Sequence, residues 1–314
     1  MRRTIIAFAS LALLATTAIA GDRARDPVTA STPIGFKLQL EAGRGHFQLS
    51  LTMGERHNMN TSVSGSQIGL DTRALEGNGP LRFAIAREPG RLDCTGATER
   101  KVAIGSCSFT PDAAFAGYLA QRGIGQPSFQ ESLDLTLVGA NKELVEALAR
   151  ANYPKPTIDE LTALSALQVT PAYIADLARQ GFRPDNLDDL TAFAALRIDA
   201  DYAGRMLRAG LGKLKADELI QLKALDVSPE YLAEMAGAGL RNLSADDVTQ
   251  LKALNVTPAF VREMAAMGYP DLPAERLVEL KAVGVTAEDV RHARKIGITD
   301  PTPEQLVQIR VLKH

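Results

Sequence analysis

Four histidines, two cysteines and two ladders of charge are the residues of this chain whose types could do chemistry. The histidines, His46, His57, His292 and His314, are scattered. A zinc site needs paired ligands at short spacing, as in HExxH, and none of the four has such a neighbour. No Gly-x-Ser-x-Gly elbow, phosphate-binding loop or calcium loop occurs, and Gly123-Ile124-Gly125 is too short for a dinucleotide fingerprint. The residues therefore describe a non-enzymatic chain with no metal and no cofactor. An enzymatic alternative stays open, with a site where the two halves of the chain join, using His57, Glu55 or Arg56. It would need a base with an orienting partner.

Cys94 and Cys107 are the only cysteines. A redox pair wants CxxC spacing and a helix N-terminus to lower one thiol pKa, and neither is present. A hairpin folded about Arg100-Lys101 sets residue 94 opposite residue 107, so a structural disulfide is expected. Val102 and Ile104 have the opposite parity to Cys107 and Phe109, which predicts a β-bulge at Gly105-Ser106.

The charge ladders are periodic. Asp159, Asp188, Asp217, Asp246, Glu275 and Glu304 recur every 29 residues, and so do Lys223, Lys252, Lys281 and Arg310. Acids near helix starts and bases near helix ends complement the macrodipole. That accounts for the acids. The basic row, confined to the last units, also reads as a ridge offered to an anionic partner.

The elements that must position these ladders follow from the same period. One column reads Val169, Ile198, Val227, Val256 and Val285, and another Gly181, Gly210, Gly239, Gly268 and Gly297. Each unit predicts two short helices. Helix A follows a cap column that includes Thr157, Asn186 and Ser244, with capping-box spacing to Glu160 and Asp247. Helix B follows Thr170-Pro171, Ser228-Pro229 or Thr257-Pro258, and the glycine column stops it. Tyr173, Tyr202, Tyr231, Met206, Met235 and Met264 fall at helical spacing, as core residues do. Ala166, Ala195, Ala224, Ala253 and Ala282 form an unvarying column, expected where a neighbouring helix approaches closely. Such units cannot bury their faces alone, so they must stack as a solenoid, here 132–314. Residues 132–160 form a degenerate first unit, and a lone helix A closes the array. Asp289 and Arg294 break their columns, as expected of a terminal unit that meets water.

Ahead of the solenoid the period is two. Phe36, Leu38 and Leu40, then Phe47, Leu49, Leu51 and Met53, then Leu81, Phe83 and Ile85 alternate with other residues. This predicts an antiparallel β-domain over 34–110. Residues 54–79 carry no clear pattern. Thr110-Pro111-Asp112 opens a connecting helix in the linker 111–131, with Pro111 in its first turn. The fold class is α+β.

Residues 1–20 read as a signal peptide: Arg2 and Arg3, an apolar run over 4–15, and Ala18-Ile19-Ala20 before a cut at Gly21. Residues 21–33 form a polar leader. Removal of the signal leaves 33 basic against 37 acidic residues, a net charge of about −4. A nucleic-acid binder should show a basic footprint, so nucleic acid is excluded as a partner. No later segment is apolar enough to span a membrane. A periplasmic or secreted location is expected.

The unit LSADDVTQLKALNVTPAFVREMAAMGY (Leu243–Tyr269) resembles a helical repeat of exported proteobacterial proteins. Related repeats are appended, outside the membrane, to antibiotic-sensing membrane metallopeptidases. The resemblance covers about 110–314, and FTPDAAFAGYLAQRGIG (Phe109–Gly125) with the β-region is similar too. The peptidase motif and its membrane helices are absent, so the resemblance implies a repeat module without proteolysis. The expected function is an interaction module, a sensor or adaptor binding a protein or envelope ligand along the solenoid, with Lys223, Lys252, Lys281 and Arg310 as the candidate ridge. A purely structural envelope component is the other non-enzymatic reading.

Overall fold

The computed structural model describes residues 29–41, 45–54 and 57–312. The expected signal peptide, most of the leader, Glu55, Arg56 and His314 lie outside the described residues. The fold is α+β, with six strands followed by helices. β1 (Ile34–Leu40), β2 (His46–Met53), β3 (His57–Ser64), β4 (Gly79–Arg87), β5 (Gly90–Glu99) and β6 (Val102–Pro111) form one sheet in the order β3-β2-β1-β6-β5-β4. β1 is central, pairing antiparallel with both β2 and β6. The alternation read from sequence is the burial pattern for Phe36 and Leu38, for Phe47, Leu49, Leu51 and Met53, and for Leu81, Phe83 and Ile85, but Leu40, at the end of β1, is 45% exposed.

The segment without clear pattern contains β3, a short helix α1 (Gly65–Ile68) and a 3-10 turn at Thr72–Leu75. β3 pairs only with β2 and is an edge strand, so its sequence, HNMNTSVS, needs few apolar residues. Among its residues of described burial, Val63 alone is fully buried.

Cys94 and Cys107 form a disulfide with a Cα–Cα distance of 4.1 Å. Arg100 and Lys101 both have positive φ, the geometry of a two-residue hairpin turn. The expected bulge at Gly105-Ser106 is absent. The β1–β6 register runs unbroken from Ile34↔Cys107 to Gln39↔Val102. The inward residues of β6 are Ala103 and Gly105, while Ile104 is 63% exposed. The cause is Phe36. A Cβ on Gly105 would lie 2.7 Å from the Phe36 ring and 2.2 Å from the Thr95 carbonyl, so the large residue comes from β1 and a glycine faces it.

By compactness the chain divides into two units, and the boundary does not fall at residue 110. Arg82–Asp93, the tip of the β4–β5 hairpin, belongs with the helices from Phe109 onward. There the Arg87 guanidinium donates to the carbonyls of Thr136 and Leu137 at 2.9 and 2.5 Å, closing the end of α3 (Phe129–Val138). α2 (Ala113–Gln121) is capped by Asp112, whose carboxylate accepts from Phe115 N–H at 2.7 Å. Pro111 thus precedes the cap and is not in the first turn.

Twelve more helices follow among the described residues: α4 (Lys142–Arg150), α5 (Ile158–Ala166), α6 (Pro171–Arg179), α7 (Leu187–Ala195), α8 (Ala200–Arg208), α9 (Ala216–Ala224), α10 (Pro229–Gly237), α11 (Ala245–Ala253), α12 (Pro258–Ala266), α13 (Ala274–Val283), α14 (Ala287–Lys295) and α15 (Pro303–Leu312). Odd-numbered helices from α3 are helices A of the repeat, and even-numbered ones from α4 are helices B. Each A helix packs on the next A helix, and B helices up to α12 pack likewise. Their leucine, valine and methionine columns are buried in an apolar core running along the stack. The B helices from α6 onward end on the left-handed glycines, as Phe182 N–H to Leu177 O at 3.0 Å illustrates, while α4 ends at left-handed Asn152. Helices A end instead at left-handed Gln168, Arg197, Asp226, Asn255 and Gly284. No helix among the described residues is long and apolar enough to cross a membrane.

Replacing Cys94 and Cys107 together with serine should lower the unfolding free energy of the sheet by about 3 kcal/mol, the chain-entropy value for a loop of this size. Urea unfolding of the variant against the oxidised protein measures this.

Candidate binding face of the repeat stack

The residue that each B helix turns toward the next repeat is fixed by its cap. The N-cap side chains of Thr170, Asp199, Ser228 and Thr257 accept from the N–H three residues on, at 3.1, 2.7, 3.1 and 3.2 Å. Those N–H groups belong to Tyr173, Tyr202, Tyr231 and Phe260. Each tyrosine then reaches out of its own repeat. Tyr173 donates its hydroxyl to the carbonyl of Ile198 at 2.8 Å, Tyr202 to that of Val227 at 2.8 Å, and Tyr231 to that of Val256 at 2.9 Å. The acceptors are members of the valine column. Burial pushes the Tyr202 and Tyr231 hydroxyls up to about 12, and raises that of Tyr173 as well. The tyrosine column is packing, as its spacing predicts.

The lysine ladder lies on the same rings. Lys223 Nζ is 4.2 Å from the Tyr202 centroid, Lys252 Nζ 4.8 Å from that of Tyr231, and Lys281 Nζ 4.9 Å from that of Phe260. Each lysine comes from the A helix of the following repeat, 21 residues after its aromatic. The candidate ridge is thus a set of half-buried ammoniums seated on π faces. Arg310 holds the corresponding position against Asp289, at 3.8 Å. Asp289 is not turned to water: it is 1% exposed and accepts from Thr286 N–H at 2.9 Å. Arg294 is exposed, and donates to the Met267 carbonyl at 2.7 Å. At the last interface an aspartate replaces the aromatic and an arginine the lysine, so an ion pair stands in for a cation–π contact. The partner rings are what reading the lysines alone misses, and the constant 21-residue offset between the two columns is the signal that finds them.

Two other ladders complete the surface. Asp159, Asp188, Asp217, Asp246, Glu275 and Glu304 are exposed at the starts of the A helices, and Glu304 pairs with Arg276 at 2.7 Å. Ala166, Ala195, Ala224, Ala253 and Ala282 face solvent, not the neighbouring helix expected of them. Each sits at or next to the end of an A helix and is followed by Leu167, Leu196, Leu225, Leu254 or Val283. Leu167 and Leu254 are 37% and 38% exposed. Leu196, Leu225 and Val283 are half-buried, so the apolar line along the packed A helices is a row of exposed alanines with exposed leucines at Leu167 and Leu254, beside the lysine stems.

The lysine row stops short of the first ring. Tyr173 has the aromatic position, but Ala194 occupies the place of the lysine. A depression of about 240 Å³ opens there, lined by Tyr173, Ala194, Leu167, Gln168, Arg197 and Asp199 among others.

Of the residues that an enzymatic site would use, Glu55 and Arg56 lie outside the described residues and His57 opens β3. Among the described residues no three side chains of metal-ligating type gather. No protein-family model matches the chain, and a search of the curated proteins finds no match either.

If the lysines are seated as described, Lys223→Ala and Lys252→Ala should each cost about 0.5–1 kcal/mol of stability. A Lys223→Ala/Tyr202→Leu double-mutant cycle should return a coupling energy of the same size, whereas a purely outward ridge would give zero. A second expectation concerns alkali. The folded tyrosines titrate near 12 against about 10 when unfolded. Their contribution is therefore complete below pH ~10 and lost as pH rises from there through 12. Denaturation midpoints measured across that window should fall, and fall less in Tyr202→Phe/Tyr231→Phe.

Proposed function

We propose that the protein is a non-enzymatic interaction module of the periplasm or extracellular space, of sensor or adaptor type, that binds a protein partner along the ends of its A helices. The observation that carries this reading is the solvent-facing apolar line of Ala166, Ala195, Ala224, Ala253 and Ala282, with Leu167 and Leu254 exposed beside it. Large contiguous exposed apolar surface marks interaction sites, and stacked repeats present such surface over a long distance. The line replaces the lysine ridge as the proposed contact surface, because the lysines already hold partners within the chain. Their aliphatic stems border the line and add to its apolar area.

The export reading rests on the residue pattern of 1–20 and is supported by the Cys94–Cys107 disulfide, since such bonds persist in oxidising compartments. On the same reading the repeats are of the kind appended to antibiotic-sensing membrane metallopeptidases, here without a peptidase.

Site-specific photocrosslinking in the cells that make the protein tests the face. A benzophenone side chain at Ala195, Ala224 or Ala253 should yield one adduct of common mass. The same group at Asp188 or Asp217, on the acidic edge, should not. Equal adducts from both edges, or none from the alanine positions, would overturn the assignment.

A further inference from the structure

Four aromatic residues hold equivalent places in successive repeats, and three of them carry a lysine ammonium at 4.2 to 4.9 Å. Among the described residues Tyr173 has no such cation, because Ala194 stands where Lys223, Lys252 and Lys281 stand later. The space of the missing side chain is the open depression of about 240 Å³ on the Tyr173 ring. We propose that this is a binding seat for a lysine side chain of the partner polypeptide, which supplies from outside the contact that later repeats make from within. The inference rests on the interaction-face reading, since Leu167 belongs both to the apolar line and to the wall of the seat.

Three further features of the seat agree. Its floor geometry is that of its neighbours: Tyr173 is pinned by Thr170 below and by the Ile198 carbonyl beyond, as Tyr202 is by Asp199 and Val227. An incoming ammonium therefore meets a preordered ring. A carboxylate lies beside it. The N-cap beside the seat is Asp199, whereas the corresponding caps beside the occupied rings are Ser228, Thr257 and Thr286. The seat is thus lined by the Asp199 carboxylate and the Arg197 guanidinium, where the next repeat has Ser228 and Asp226. Last, the left-handed residues on its rim are Gln168 and Arg197. The later repeats have Asp226, Asn255 and Gly284, types that adopt this conformation more readily. Backbone held in a disfavoured conformation is a common mark of a functional site. Arg197 also sets specificity, because it favours a partner that carries an acid beside the lysine.

The probe is the blocked dipeptide acetyl-Glu-Lys-amide, titrated into the full chain while the ring resonances of Tyr173 are followed by NMR. Saturable shifts are expected in the millimolar range. The Nε-acetylated peptide, which keeps the length and loses the charge, should bind about tenfold more weakly, and Tyr173→Leu should weaken the unmodified peptide by a similar factor. Ala194→Lys should fill the seat from within, abolish the peptide shifts and raise the denaturation midpoint. Equal binding of the acetylated peptide, or undiminished binding to folded Ala194→Lys, would overturn the proposal. The titration needs no partner protein, so absence of crosslinks along the apolar line would refute the face without deciding the seat, and the reverse.

Discussion

One hydrogen bond, from a tyrosine hydroxyl to a carbonyl in the following repeat, sets the geometry on which the rest of the stack depends. A two-helix unit of this size cannot exclude water from its own apolar faces, so the stability of each repeat resides largely in its interface. Apolar contact alone does not fix how two units sit. The bonds from Tyr173, Tyr202 and Tyr231 to Ile198, Val227 and Val256 do, because each joins the start of one B helix to the turn between helices A and B of the next. That turn follows a left-handed residue and leaves a carbonyl outside both helices' own bonding. Such a group is costly when buried and unpaired. The tyrosine satisfies it and is itself held by a cap.

Around this bond, charge on the solenoid sorts into two kinds. The lysines extend the tyrosine contact and belong to the packing of the stack, while the acids decorate the helix starts in water. Apart from these charges stand the exposed alanine column at the ends of the A helices and Tyr173, the one ring of the four without a lysine. The lysine row begins one interface later, at Lys223, so the first ring of the series is left open.

The repeat is legible in the sequence because its columns are set by strong local rules: glycine where φ is positive, Ser or Thr before the first turn, leucine every third or fourth residue. The sheet is legible wherever one face is buried, and β3 is not, because an edge strand needs little apolar surface. The bulge is a false expectation because side-chain size in β6 suggests the wrong parity: the space over Gly105 is filled from Phe36, on a strand far away in sequence. The lysines are visible as a row, but their meaning requires the ring 21 residues earlier, a pairing between repeats that no single helix displays. The alanine column suggests a packing surface on size alone. Small residues fit both close contacts and open faces, and only burial tells them apart.

The buried Asp289 gives the last interface a requirement that the earlier ones lack. Its carboxylate is 1% exposed and faces the Arg310 guanidinium of α15 at 3.8 Å. Lys223, Lys252 and Lys281 rest instead on aromatic rings. A ring covered by a neutral side chain loses only a cation–π contact. A carboxylate covered by a neutral side chain is buried without its countercharge, which costs several kcal/mol. The array therefore selects its closing helix by charge, where the interior interfaces select their neighbours by shape.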